Sequence, residues 1–134
     1  MEKQVALLNY IAVGIGGIAG SILRYLVGLY TSGLWSSGLP YGTFIVNMAG
    51  CFALGFLTGW QYNKKLPPPA AAGIGTGFIG SFTTFSALSM ETVELFHTSL
   101  FLALLYVVLS GIFGLAAAFL GVCIGEKSLR KETV

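Results

Sequence analysis

No aspartate occurs in the sequence, and charge of either sign is scarce: five Glu against seven Lys or Arg, with one His, among 134 residues. Charged residues are 9% of the chain, where an ordinary soluble domain carries about 25%. A globule of this length would have too few charges to cover itself, which sets a water-soluble fold aside. The formal net charge is only +2 and no basic stripe runs through the body of the chain, so nucleic acid is not an expected partner. Cysteine is sparse as well. Cys51 and Cys123 both lie inside apolar runs, which reads as free thiols packed in helices and not as a disulfide scaffold.

What fills the chain instead is apolar: 55% of residues are hydrophobic. They fall in four long runs, at about 5–30, 41–62, 70–96 and 100–124. A bilayer core of roughly 30 Å needs about 20 apolar residues in a helix, and each run is long enough. The first is too long for a signal peptide and is followed by further spans. The expected architecture is one domain, residues 1–134, folded as an all-α membrane protein of four transmembrane helices.

The punctuation of the spans differs. The first carries Gly16 and Gly20 and the second Gly55 and Gly59, small-xxx-small pairs that let helix backbones approach closely in lipid. Pro67, Pro68 and Pro69 separate the second span from the third, since none can donate a helical hydrogen bond. The third span is the unusual one. Its middle runs Gly73-Ile74-Gly75-Thr76-Gly77-Phe78-Ile79-Gly80 and then Ser81-Phe82-Thr83-Thr84-Phe85-Ser86. Glycines followed by hydroxyls at mid-membrane suit an uninterrupted helix poorly and point to a break. Breaks at membrane depth need cover from protein or a water-filled cavity, and they commonly mark ion sites. In the fourth span Tyr106, Ser110, Gly114 and Ala118 share one face. The residues from Glu126 onward form a short charged tail.

With four spans, Lys3, Lys64, Lys65, Lys127, Arg130 and Lys131 share one side of the membrane, six of the seven positive charges. The opposite loops hold none, and only Arg24 lies toward them. The positive-inside rule then puts both termini in the cytoplasm of a multi-pass protein of the cell membrane.

Several polar residues lie within the spans. Arg24 is either a functional intramembrane charge or an arginine that snorkels to the nearby interface. Asn47 in the second span either donates its amide N–H groups to an anion or bonds another helix, with helix packing favoured. Glu91, Glu94 and His97 spell Glu-x-x-Glu-x-x-His, but a di-iron bundle needs a second such motif and more Glu ligands. The expected reading is a polar helix end. No nucleophile has a His and an acid beside it in sequence, so no enzymatic site is supported. The hydroxyls of Thr83, Thr84 and Ser86 can donate to an anion. The ring edge of Phe85 carries partial positive charge and can face an anion without binding it too tightly for conduction.

These passages resemble the Fluc family of small fluoride channels, also called CrcB. The match is carried by Gly20-Ser21-Ile22-Leu23-Arg24-Tyr25, by Pro40-Tyr41-Gly42-Thr43 with Val46-Asn47-Met48-Ala49-Gly50, by Gly77-Phe78-Ile79-Gly80, and by Thr83-Thr84-Phe85-Ser86 with Glu91-Thr92. The resemblance implies an antiparallel dimer with two narrow pores, passive export of fluoride, and strong selection against chloride. It implies a structural sodium ion at the dimer centre, held by backbone carbonyls at the positions matching Gly80 and Thr83. It places Asn47 and Phe85 on the anion path, beside the hydroxyls of Thr84 and Ser86. Tyr106 and Ser110 match a polar track on the fourth helix more loosely.

Two departures stand out. The family's second phenylalanine is Leu88 here, and Phe82 does not replace it. Single-gene members also insert in both orientations with little charge bias, whereas this chain is strongly biased. Both departures point to one half of a heterodimer whose inverted partner is a second Fluc-like subunit, ahead of a dual-topology homodimer. The nearest rival, a small multidrug-resistance-type transporter of four helices, works through a Glu in the first span. Here that span has Arg24 and no acid after Glu2.

Overall fold

The computed structural model describes residues 2–31, 40–61 and 66–130. The loop at 32–39, the residues Tyr62, Asn63, Lys64 and Lys65 after the second span, and Lys131 and Glu132 of the tail lie outside the described residues. Everything described is helix or a short connection, with no strand among the described residues. The order is α1 (Glu2–Thr31), α2 (Tyr41–Gln61), α3 (Pro68–Ala71), a π-helical segment (Ala72–Ile79), α4 (Gly80–Phe82), α5 (Phe85–Thr98) and α6 (Leu100–Arg130).

Among the described residues, three helices are long and apolar enough to cross a membrane: Lys3–Thr31, Tyr41–Gln61 and Leu100–Lys127. The third run, 70–96, is broken, as its composition suggested, and neither half qualifies alone. The 14 residues of α5 rise only about 21 Å at 1.5 Å each. The protein is an all-α, multi-pass membrane protein. Helix α6 continues to Arg130, so the start of the charged tail extends the last span and is not a separate coil.

Glycine contacts sort the helices into two tight pairs. A Cβ built on Gly16 would lie 2.1 Å from the Gly73 carbonyl oxygen, and one on Gly20 would lie 2.2 Å from that of Phe78. α1 therefore packs backbone to backbone on the π-helical segment. In the second pair, a Cβ on Gly55 would meet the Ala118 carbonyl oxygen at 2.1 Å, and one on Gly121 that of Phe52 at 2.3 Å. α2 and α6 approach as closely. The small-xxx-small pairs thus do what lipid requires, where apolar side chains gain nothing by leaving the tails and close backbone packing drives association. The outward stripe of α1 is large and apolar: Leu8, Ile11, Ile15, Ile18 and Ile22 are all exposed.

The glycine-rich stretch does not itself unwind. Its turns are widened, so that the Gly80 N–H reaches the Gly75 carbonyl five residues back. The interruption comes later, at Thr83 and Thr84, which are extended (φ −75°, ψ 157° and φ −147°, ψ 122°). Leu95, Ala103 and Tyr106 form a small buried cluster between α5 and α6, with Phe44, Leu88 and Leu102 packed against it.

Candidate functional site: the broken third span

The break is held by Asn47. Its Nδ2 donates to the Thr84 carbonyl at 3.0 Å, and its Oδ1 accepts from the Thr84 N–H at 2.8 Å. A primary amide presents the donor and acceptor of a peptide unit, so it pairs with Thr84 as a neighbouring strand would. Helix bonding reaches Thr83, whose N–H donates to the Ile79 carbonyl at 3.1 Å. The Thr84 N–H, which a continuous helix would give to Gly80, goes to Asn47 instead. Helix α5 then restarts with Thr84 as its N-cap, whose Oγ1 accepts from the Ala87 N–H at 3.2 Å. Asn47 therefore does bond another helix, and one Nδ2 hydrogen remains beyond that bond.

The sequence-derived site residues gather around this point in part. The hydroxyls of Thr84 and Ser86 lie 3.2 Å apart. Phe85, the first residue of α5, is 80% exposed on the single chain. Arg24 is half-buried and does not snorkel away: its Nη1 donates to the Thr83 carbonyl at 3.5 Å, a long contact. Phe82 stacks parallel on Phe78, with centroids 6.3 Å apart, and Leu88 packs against the Tyr106 cluster. The two residues around the expected second phenylalanine are thus both occupied within the chain.

Tyr106 and Glu91 form a separate node. The Glu91 carboxylate accepts from the Thr43 hydroxyl through Oε1 and from the Tyr106 hydroxyl through Oε2 at 2.7 Å. This ties α2, α5 and α6 together and satisfies both carboxylate oxygens. Tyr106 is 5% exposed, so its hydroxyl is a structural tie as well as a candidate pore group. Ser110, one turn on, has a buried Oγ without a hydrogen-bond partner among the described residues. Sequence reasoning singled out Glu91 and Tyr106 but not Thr43, since nothing in their spacing shows that they converge. Glu94 and His97, the rest of the polar motif, are exposed near the end of α5, with the His97 ring edge-on to Phe96.

The carbonyl end of the first half-helix suits a hard cation. Gly80 is exposed and has lost the donor its carbonyl would have in a continuous helix, keeping only the Thr83 hydroxyl at 3.3 Å. Among the described residues the Thr83 carbonyl has only the long contact from Arg24. Unwound carbonyls of this kind are the donors that coordinate sodium in broken membrane helices, so the residues present fit such an ion.

Comparison with known proteins agrees with this architecture. Residues 11–122 match the family profile described as CrcB-like protein, Camphor Resistance (CrcB). A protein of Bacillus cereus named fluoride-specific ion channel FluC 1 is 44% identical over 132 residues, covering 97% of this chain and 92% of that protein. A Bacillus anthracis protein of the same name is 46% identical over 129 residues, 93% of each chain. A Bacillus licheniformis protein named fluoride-specific ion channel FluC 2 is 42% identical over 119 residues, covering 89% of this chain and 88% of that one. With the four-run membrane plan, the broken third span and these matches together, the chain belongs to the CrcB-like family.

Proposed function

We propose that the chain is a subunit of a fluoride-selective channel that lets cytoplasmic fluoride leave passively and so protects against its toxicity. The observation that carries this reading is 44% identity to a protein named as a fluoride-specific channel, over 97% of the chain. The geometry supports it: the aligned core includes a helix break lined with hydroxyls. The anion path runs past Asn47, Phe85, Thr84 and Ser86, and along Tyr106 and Ser110. The spare Nδ2 hydrogen of Asn47 and the unpartnered Ser110 hydroxyl are the donors that support this route. They are neutral, which suits a pore that must release its ion.

The chain forms four spans in one domain, with both termini in the cytoplasm. The channel is an antiparallel dimer in which a second Fluc-like subunit, inserted the other way up, supplies the other half. Relatives carry the numbered names FluC 1 and FluC 2, which supports a paired-gene assembly over a dual-topology homodimer. Carbonyls of Gly80 and Thr83 would hold a structural sodium ion at the dimer centre. When bound, sodium supplies a fixed positive charge that binds the two broken helices together. This chain's part is to keep those carbonyls free of helical donors.

The test is fluoride efflux from liposomes, read with a fluoride electrode, using the chain alone and with a candidate inverted partner. Efflux under an imposed gradient, with chloride excluded, is expected when both orientations are present. No efflux from either preparation overturns the channel reading.

A further inference from the structure

We propose that Gly50 is a positioning residue for the break: its missing side chain seats the Thr83 methyl, which fixes the Thr83 hydroxyl over the first half-helix and sets the Gly80 and Thr83 carbonyls for a cation. This rests on the sodium reading and deepens it.

Gly50 is buried in α2, three residues after Asn47 and so on the same helix face. A Cβ built there would fall on the Thr83 Cγ2 methyl, far inside contact distance, with Phe82 Cδ1 only 3.7 Å away. That methyl is not the far end of a flexible chain. In threonine Cγ2 and Oγ1 share one Cβ, so a single torsion moves both. With the methyl over Gly50, the hydroxyl lies 3.2 Å from the Ile79 carbonyl oxygen and 3.3 Å from that of Gly80. The Ile79 carbonyl already accepts the Thr83 N–H at 3.1 Å. The hydroxyl has one proton to give, and the two carbonyls share it. When that proton turns wholly to Ile79, the Gly80 carbonyl is open to a cation. Asn47 meanwhile holds the next peptide, at Thr84. One face of α2 therefore grips two successive residues, Thr84 by hydrogen bonds and Thr83 by shape.

A methyl at position 50 leaves two escapes. Thr83 turns about its torsion and takes the hydroxyl away from both carbonyls, or the break withdraws from α2. Either one displaces the carbonyl donors. Serine at 83 keeps the hydroxyl and lacks Cγ2, so it leaves room for alanine at 50.

The test has one readout that needs neither sodium nor flux. The full chain is labelled with 13C and 15N, and the Thr83 methyl signal is assigned by its loss in T83S. Three-bond couplings from Cγ2 to the backbone nitrogen and carbonyl carbon report the torsion, expected to be a single rotamer in the parent. The second readout is the thermal midpoint in detergent, with the candidate inverted partner present, as sodium replaces N-methylglucamine at constant ionic strength. G50A should raise the sodium concentration for half the stabilisation by about tenfold or more. G50A/T83S should bring it back near the parental value. T83S alone should melt lower, having lost a packed methyl, and keep its sodium response. An averaged torsion in the parent overturns the proposal, as does a G50A protein parental in both readouts or a G50A/T83S protein as impaired as G50A. Where G50A does not fold, G50A/T83S carries the test: a folded protein with a parental sodium response supports the proposal, and failure to fold overturns it. A parent whose midpoint ignores sodium would sink the sodium reading and leave the torsion readout standing.

Discussion

At the scale of single residues, the break depends on one amide. Freed backbone groups in a membrane cost several kcal/mol unless they find partners, and Asn47 provides both partners for Thr84. Asn47→Ala is expected to lower stability by about 2–4 kcal/mol, seen as a drop in the thermal midpoint of the detergent-solubilised protein. Asn47→Asp should be no better, because it sets a carboxylate oxygen against the Thr84 carbonyl. A variant that melts like the parent would show that Thr84 finds other partners. Glu91 makes a second case. Glu91→Ala strands the Thr43 and Tyr106 hydroxyls and should cost about 2–3 kcal/mol, whereas Glu91→Gln keeps an acceptor and should cost less than half as much. Equal losses in the two variants would contradict the hydrogen-bonded node.

At the scale of helices, close packing of backbone decides which element lies against which. Gly55 has no room for a methyl group, since the Ala118 carbonyl oxygen occupies its place. Gly111 has open space around it in the same α2–α6 unit. Gly55→Ala is therefore expected to destabilise by about 1–3 kcal/mol through overpacking. Gly111→Ala should be neutral or gain up to about 1 kcal/mol from helix propensity. Differential scanning of the two variants in one detergent separates these outcomes, and a reversed order would contradict the pairing of α2 with α6. The π-helical segment follows from the same cause. Its glycines let α1 lie directly on the backbone, so that helix covers what a wider turn exposes.

At the scale of the whole molecule, the asymmetry of charge is the controlling feature. On a four-span plan, six of the seven positive charges would fall on one side, and loops near spans set orientation through their Lys and Arg. Expressed alone, the chain is expected to insert in one orientation, with reporters at both termini reading cytoplasmic. Equal populations facing each way would remove the argument for an inverted partner. Replacing Lys64 and Lys65 with Gln while adding two Lys within 32–39 should move a substantial fraction into the opposite orientation. Such a variant should also pass fluoride without a second gene product, because it would supply its own inverted half.

The sequence by itself determined the solvent, the number of apolar runs and the neighbourhood of the break. Those follow from composition and from the linear order of charge and glycine, which a bilayer reads locally. It also showed which residues could pack closely, but not against which helix. The tertiary structure decided the polar pairings: Asn47 with Thr84, Arg24 with Thr83, and Glu91 with Thr43 and Tyr106. The first three of these bridge 37, 59 and 48 positions of chain. It also fixed the interruption within that neighbourhood, at Thr83 and Thr84. The reason is physical. With no water inside a bilayer, a polar side chain takes whatever partner the packed helices bring within 3 Å or so, and that neighbour is a property of the fold.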